Sequence, residues 1–461
     1  MSIKHDSFET IIEREKGLHR SLSAGQMSMI AIGGAIGTGL FLGSGFAIGF
    51  AGPSVLVSYA IGAVIALLLM GALAEMTVAH PTSGSFGAYA EFYIGPLAGF
   101  LVRYAYWSAV VFAVGTEVSA VAVFMKYWFA NVPGWYWIVG FSGALIVVNA
   151  ASVKVYGVIE YAFSMLKIVA ILAFILLGAV FVYGAPASSG VGLQNFTAHG
   201  GFFPHGVRGM WIGVIVAIFS YLNIETIAVA AGEAKDPQRA VTRAFRSTVF
   251  RLVLFYMLTL ALMLAIVPWT QASTDESPFV KVMAATHVPY AAGVINFVVL
   301  VAALSAMNSQ LYITTRMMFS LSRAGYAPAR FGRLSANGVP TAALSLSTIG
   351  IALATVLTAF WPEAAFGLMM SLAIFGAMFA WLMIFVTHLF FRARYNGPTP
   401  SFRMVLHPLG SLLGAALMAA ILLTTAFTQQ FRMTLVYGFA FLAVLTSTYL
   451  VYYKDKNKER G

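Results

Sequence analysis

Cysteine is absent from the 461 residues, so neither a disulfide framework nor a thiolate metal site can form. Charge is nearly as scarce. Only 9% of the residues are Asp, Glu, Lys or Arg, where soluble domains carry roughly 25%, and that deficit excludes a soluble enzyme. The eight histidines form no close pair of metal-ligand spacing, so no metal and no cofactor is expected; His388 reads as a residue near the end of an apolar run. The opening residues Met1 to Arg20 are charged and lack a short apolar core with a small-residue cleavage site, so the first apolar segment is expected to be retained.

What is present is apolar bulk. The chain is 60% hydrophobic, with 37 Phe and 21 Met, the composition of lipid-facing and helix-packing surface. A membrane-crossing helix needs ~20 mostly apolar residues, and such runs fall at 25–48, 54–79, 98–130, 134–152, 158–183, 207–232, 245–268, 289–322, 341–360, 365–391, 406–427 and 432–453. The expectation is an all-α integral membrane protein of twelve spans. A segment 1–24 would precede one transmembrane domain, 25–453, and a tail 454–461 would follow it; the loops, 184–206 included, are too short to hold an inserted domain.

An even number of spans puts both termini on one side, and the basic residues say which. Of the 27 Lys and Arg, 22 fall on the side of the termini, from Lys4 and Arg14 through Arg239, Arg323 and Arg394 to Arg460. Lys126, Arg208, Lys281 and Arg432 fall on the other side, and Lys167 lies within a span. That bias places both termini in the cytoplasm and accounts for the net charge of +11. Because the cations are spread over every inner loop, the pattern is a topology signal and no nucleic-acid footprint.

Two spans are interrupted. In the first, Gly33, Gly34, Ala35, Ile36, Gly37, Thr38, Gly39 holds four glycines in seven residues beside β-branched Ile and Thr, which makes continuous helix costly by several increments of ~1 kcal/mol. In the sixth, Phe219, Ser220, Tyr221, Leu222, Asn223, Ile224, Glu225 interrupts an apolar run. Unwound backbone at membrane depth is tolerated only where protein or a wet cavity covers it, and paired interruptions five spans apart point to a transporter site built on inverted repeats, about 25–183 and 207–391, with spans 11 and 12 (about 406–453) appended. A restarting helix presents N–H groups and the positive end of its dipole to a carboxylate. A stopping helix presents carbonyls to an ammonium group. One zwitterion fits both. The alternative is that the glycines only pack against a neighbouring helix.

The motifs around these breaks resemble those of the amino acid permeases of the amino acid, polyamine and organocation superfamily, in its bacterial amino acid transporter branch. GGAIGTGLFLGSG (Gly33 to Gly45) is similar to the family's span 1. AEM at Ala74 to Met76 and PTSGSF at Pro81 to Phe86 resemble its first inner loop, and SVKVYGVIEY (Ser152 to Tyr161) the entry to span 5. AAGEAKDPQRAV (Ala230 to Val241) resembles the end of span 6, and LSAMNSQLYITTRMMFSLSRAGYAP (Leu304 to Pro328) span 8. The resemblance covers nearly the whole chain and implies a fold like that of the leucine-type sodium symporters. It implies that the N–H groups of Gly37, Thr38 and Gly39 hold a substrate carboxylate, that the carbonyls of Ala35, Ile36, Phe219 and Leu222 take the ammonium, and that Phe219 is an aromatic gate. Asn223 departs from the pattern, since relatives usually have glycine there, and a side chain at that point would narrow or polarise the pocket.

Three ionisable residues are expected deep in the bilayer, where a charge costs upward of ~3 kcal/mol and marks a functional candidate. Lys167 lies where the resemblance places the coupling ion of sodium-dependent relatives; it either loads and releases a proton or is a fixed cation tying spans 1 and 8 together, with Ser305 a possible neighbour. Glu225 is either a proton carrier or a brace for the second break. Glu117 resembles a pocket-facing glutamate of this branch, and could recognise a cationic side chain, couple to protons, or pair with Thr116 or Ser119. Glu75 and Glu233 are expected near water-accessible span ends, and Asp236–Pro237 as a helix start.

The resulting expectation is a non-enzymatic secondary transporter of the cytoplasmic membrane, importing amino acids with a neutral side chain by proton symport. The alternatives are a cationic amino acid permease or an amino acid/amine exchanger. Its partners would be the amino acid, protons and the lipid bilayer, with no nucleic acid, as a monomer or homodimer. No nucleophile–base motif supports an intramembrane enzyme, and no short symmetric spanning unit supports a channel.

Overall fold

The computed structural model describes residues 8–18, 22–186, 189–271 and 276–454. Parts of the segment 1–24 and most of the tail 454–461 lie outside the described residues. The chain is helical: α1 (Phe8–Arg14), α2 (Ala24–Ala35), α3 (Thr38–Phe41), α4 (Gly43–Ala51), α5 (Val55–Ala79), α6 (Ser85–Tyr93), α7 (Pro96–Lys126), α8 (Gly134–Ala151), α9 (Val153–Gly184), α10 (Gly206–Tyr221), α11 (Thr226–Ala230), α12 (Pro237–Ile266), α13 (Pro278–Ala285), α14 (Ala291–Arg323), α15 (Thr341–Ser347), α16 (Ile349–Phe360), α17 (Pro362–Arg394), α18 (Leu409–Thr424) and α19 (Arg432–Tyr452). Strand pairing among the described residues is limited to an isolated bridge between Leu22 and Ala234.

Among the described residues, ten segments are long and apolar enough to cross a membrane, and two shorter apolar helices, Gly25–Phe41 and Phe250–Ile266, fall where the sequence places spans 1 and 7. Burial sorts these segments into layers. The apolar window of Gly206–Glu233 is 94% buried and that of Pro96–Lys126 78%, whereas those of Gly134–Ala151 and Gln429–Tyr452 are 22% and 28% buried, so the interrupted α10–α11 segment and α7 form the centre and α8 and α19 the rim. A helix that is apolar all round is one that faces either lipid or other apolar helices, and the rim helices accordingly expose Val139, Val147, Tyr437 and Val444.

Local chemistry sets the helix ends. Ser23 caps α2 in a reciprocal capping box with Gln26, and Ser152 caps α9 by accepting from Val155 N at 3.2 Å. Asp236 caps α12 by accepting from Arg239 N at 3.3 Å, with Pro237 in the first turn, as its sequence pattern predicts. Glu75 and Glu233 correct the expectation of water-accessible carboxylates, since both are fully buried. Arg316 donates to Glu233 from Nε at 2.8 Å and Nη2 at 3.3 Å, and Tyr312 donates to the same carboxylate at 2.6 Å. Glu75 lies against Arg392 Nε at 2.8 Å and His388 Nε2 at 3.1 Å. A buried carboxylate without such partners is prohibitively costly.

Candidate functional site

The first break opens between α2 and α3. The helix stops at Ala35, Ile36 takes φ −87° and ψ 85°, and Gly37 takes φ −128° and ψ −155° before Thr38 restarts it. Gly39 presses on the second interrupted segment: a Cβ there would stand 2.7 Å from Ser220 Cα, a contact only glycine permits. The free N–H of Thr38 is taken by a side chain from α7, Glu117 Oε2, at 3.1 Å, and Glu117 Oε1 accepts from Gln310 Nε2 on α14 at 3.3 Å. Thr116 and Ser119, the other candidate partners of Glu117, donate instead to backbone carbonyls of their own helix, Phe112 O and Gly115 O.

The second break lies between α10 and α11. Leu222 leaves the helix with φ −59° and ψ 155°, and Asn223 has φ +73°. That left-handed conformation is natural for glycine and tolerated best, among other residues, by asparagine and aspartate, which explains why Asn can stand here. Its Nδ2 donates to Gly34 O at 3.3 Å, so the two breaks are bonded to each other. Glu225 Oε1 accepts from Tyr106 OH on α7 at 2.5 Å and from Asn223 N at 3.3 Å. Phe219 and Leu222 are both buried, and the Phe219 carbonyl accepts from Leu222 N at 3.2 Å.

The carbonyls of the first break are in use. Ala35 O accepts from Tyr256 OH on α12 at 2.8 Å, and the same hydroxyl lies 2.7 Å from Ser220 O, so one side chain joins both breaks. Lys167 on α9 donates to Gly33 O and, at 3.0 Å, to Ile36 O. Ser305, the expected neighbour of Lys167, donates to Glu160.

Sequence reasoning passed over Glu160, Tyr256 and Gln310. Glu160 was hidden by a boundary: with the span taken from residue 158 it falls at the edge, whereas α9 begins at Val153 and buries Glu160 completely. The seven-residue spacing to Lys167, two helical turns, was the available signal. Tyr256 and Gln310 carry no local signal, because their role depends on which helix lies opposite. Asn223 Oδ1 and Gln310 Oε1 are buried and find no hydrogen-bond partner among the described residues, a pattern that in a native interior calls for an explanation such as a ligand or water.

At the end of the bundle where α1 lies, charged side chains interlock. Glu15 Oε2 accepts from Thr82 Oγ1 at 2.5 Å and Gly84 N at 2.7 Å, and its Oε1 accepts from Ser320 Oγ at 2.6 Å. Arg103 donates to Ser320 Oγ at 3.0 Å and Glu91 Oε2 at 2.7 Å, and Arg14 grips Glu91 with two bonds of 2.8 and 2.5 Å. Burial alone would raise the Glu91 carboxyl, but the Arg103 charge and the Arg14 bonds outweigh it and hold it below the usual range. His80 is pushed down to about 4 by burial and stacks on Phe8 of α1 at 4.0 Å.

Two interrupted helices bonded to each other at the centre of an apolar bundle are a transporter's architecture, and the family model for amino acid permeases matches residues 26–460. The chain belongs to the amino acid permease family. This permease is 38% identical over 453 residues to the gamma-aminobutyric acid permease of Bacillus subtilis (strain 168), covering 97% of each chain. It is 36% identical over 413 residues to the aromatic amino acid transport protein AroP of Salmonella typhimurium (strain SL1344), covering 89% of this chain and 90% of that one. It is also 36% identical over 450 residues to a putative histidine permease of Bacillus subtilis (strain 168), covering 95% and 94%. The relatives' names are those of transporters, and the multi-pass helical permease seen here is a membrane protein.

Proposed function

We propose that this permease imports an amino acid with a neutral side chain by proton symport, through twelve spans arranged as two inverted five-span repeats with spans 11 and 12 appended, both termini in the cytoplasm. The substrate lies between the two breaks. Its carboxylate goes to the N–H groups of Gly37, Thr38 and Gly39, its ammonium to carbonyls of Ala35, Ile36, Phe219 and Leu222, under Phe219, with Asn223 narrowing the pocket. The observation that carries the reading is the hydrogen bonding of the breaks to each other through Asn223 and Gly34 and through Tyr256, with a buried ammonium, Lys167, lodged on the carbonyls of the first.

Lys167 takes the place of a coupling cation. Its stem crosses apolar surroundings and its charge is met by backbone oxygens, which are ligands for sodium in related architectures and for an ammonium equally. Glu225 braces the second break; its bonds to Tyr106 and Asn223 support that role above proton carriage. A neutral substrate side chain is favoured because Glu117 is engaged by Thr38 and Gln310 and does not stand free to meet a second positive charge.

The test is uptake of a panel of radiolabelled amino acids into proteoliposomes, with and without an inward proton gradient, for the wild type and Lys167→Ala. Accumulation driven by the gradient, lost in the variant while counterflow persists, is the expected result. Accumulation that ignores the gradient and needs amino acid preloaded inside would establish an exchanger, with Lys167 a structural cation.

A further inference from the structure

Glu160 is a second buried charge beside Lys167, and two side chains of α14 donate to its carboxylate. Ser305 Oγ donates to Oε1, and Asn308 Nδ2 donates to Oε2 at 3.0 Å. The Asn308 amide is held in that orientation from behind, because its Oδ1 accepts from Asn149 Nδ2 at 2.8 Å and Asn149 in turn donates to Leu145 O at 3.0 Å. Ser164 Oγ lies 3.4 Å from Oε1 and donates to Met29 O at 2.9 Å. Donors from α14 thus meet one fully buried carboxylate of α9, with α8 bracing Asn308 from behind.

The connection to Lys167 runs through Gly33. Its carbonyl accepts from Lys167 Nζ, while its Cα faces the other way: a Cβ there would stand 2.3 Å from Glu160 Oε1 and 2.0 Å from Ser164 Oγ. The absence of a side chain at Gly33 lets a cation and an anion on the same face of α9 flank one residue of the broken helix. Neutral donors alone offset only part of the cost of a buried carboxylate, and a nearby opposite charge offsets much of the rest.

We infer that Glu160 is the positioning counter-charge of Lys167: it favours the protonated ammonium on the carbonyls of Gly33 and Ile36 and, through Ser305 and Asn308, reports that protonation state to α14. The inference rests on the reading of Lys167 as the coupling group. When Lys167 gives its proton to water on one side of the membrane, Glu160 is left as an uncompensated buried anion held by neutral donors, Ser305 and Asn308 of α14. That imbalance strengthens its pull on the Ser305 and Asn308 donors and shifts α2 and α9 relative to α14. The other ionisable groups facing the pair are Glu117 from α7, near Lys167, and Tyr156 on α9 itself, near Glu160, with Arg316 and Glu233 of the neighbouring ion pair beyond it.

Three variants test this in proteoliposomes, each compared with Lys167→Ala. Glu160→Gln keeps the side-chain volume and removes the charge; the pH midpoint of gradient-driven uptake is expected to move by about one unit or more toward acid, with counterflow retained. Ser305→Ala removes one hydrogen bond and keeps the charge, and is expected to leave that midpoint in place. The double variant Lys167→Met with Glu160→Gln removes both charges, and is expected to assemble in the membrane at a higher level than either charge-unbalanced single variant, Lys167→Met or Glu160→Gln. An unshifted pH midpoint in Glu160→Gln overturns the inference. Should Glu160→Gln fail to assemble, the double variant decides, and a yield no better than that of the singles overturns it too. If Lys167→Ala itself retains gradient-driven accumulation, it is the symport reading that fails, independently of Glu160.

Discussion

Glu117 accepts the backbone N–H of Thr38 at 3.1 Å, so the point at which the broken first segment becomes helical again is met by a carboxylate belonging to the protein. On the binding mode proposed above, a substrate carboxylate that takes the same N–H displaces that of Glu117. The displaced charge, still bonded to Gln310, joins the backbone carbonyls in meeting the substrate's ammonium group and so is not free for a charged side chain.

Replacement of Glu117 by Gln therefore has two opposing effects, an easier displacement and a weaker hold on the ammonium. Hydrogen bonds to a charged group contribute about 1.5–3 kcal/mol, which outweighs the gain, so substrate affinity is expected to fall roughly tenfold or more. Equilibrium binding in detergent measures it, and an affinity that stays level or tightens would reduce Glu117 to a cap on α3.

Asn223 has φ +73°, and this separates two substitutions. Asn223→Gly keeps the left-handed backbone and loses the bond to Gly34 O, so thermal stability in detergent is expected to stay close to wild type. Asn223→Ala loses the same bond and forces a Cβ into a conformation that costs roughly 1–2 kcal/mol. Equal unfolding temperatures for the two variants would show that the backbone is not held in this conformation.

Tyr256 presents one hydroxyl proton to Ala35 O and Ser220 O. In Tyr256→Phe these buried carbonyls lose that donor, at a cost of about 1–3 kcal/mol, and the two breaks lose a common tie. Both the unfolding temperature and the initial rate of uptake are expected to fall. A variant with a wild-type unfolding temperature would mean that neither carbonyl depends on the hydroxyl.

Acid is expected to weaken the α1 end in two stages. His80 is held at about 4 in the fold against about 6.5 when unfolded, so stability declines as pH falls from about 6.5 toward about 4, where the buried ring must charge. Glu91 is also depressed in the fold; its contribution is complete above the unfolded carboxylate value of about 4.3 and disappears as pH drops through the lower folded-state value. Unfolding temperatures from pH 8 to pH 4 measure the first stage. In His80→Phe, which retains the stacking on Phe8, the decline between pH 6.5 and 4 should be shallower; an unchanged slope would assign the acid response elsewhere.

Much of the site was legible in the residues. The glycine run of Gly33 to Gly39 announced a break that falls at Ile36 and Gly37, and the polar interruption at 219–225 announced one that falls between Tyr221 and Thr226. Both follow from local backbone energetics, which a sequence carries directly. Glu160 was not legible, because one helical boundary misplaced by five residues turns a buried charge into an edge residue. Nor was the burial of Glu75 and Glu233, since proximity to the end of a span says nothing about whether an arginine from another helix closes over it.

The sequence by itself determined what depends on composition and on neighbours along the chain: an apolar helical membrane protein, the helix start at Asp236 and Pro237, the two places where helix is too costly to continue, and membership of the amino acid permease family. Only the tertiary structure decided which side chains meet at those places. Glu117 comes 79 residues after Thr38, Tyr256 joins carbonyls 36 and 221 residues away, and Ser305 reaches Glu160 across 145 residues. Such meetings are fixed by how helices pack, through close approaches at Gly33 and Gly39 and through the need of each buried charge for a partner, and no local pattern encodes the partner's address.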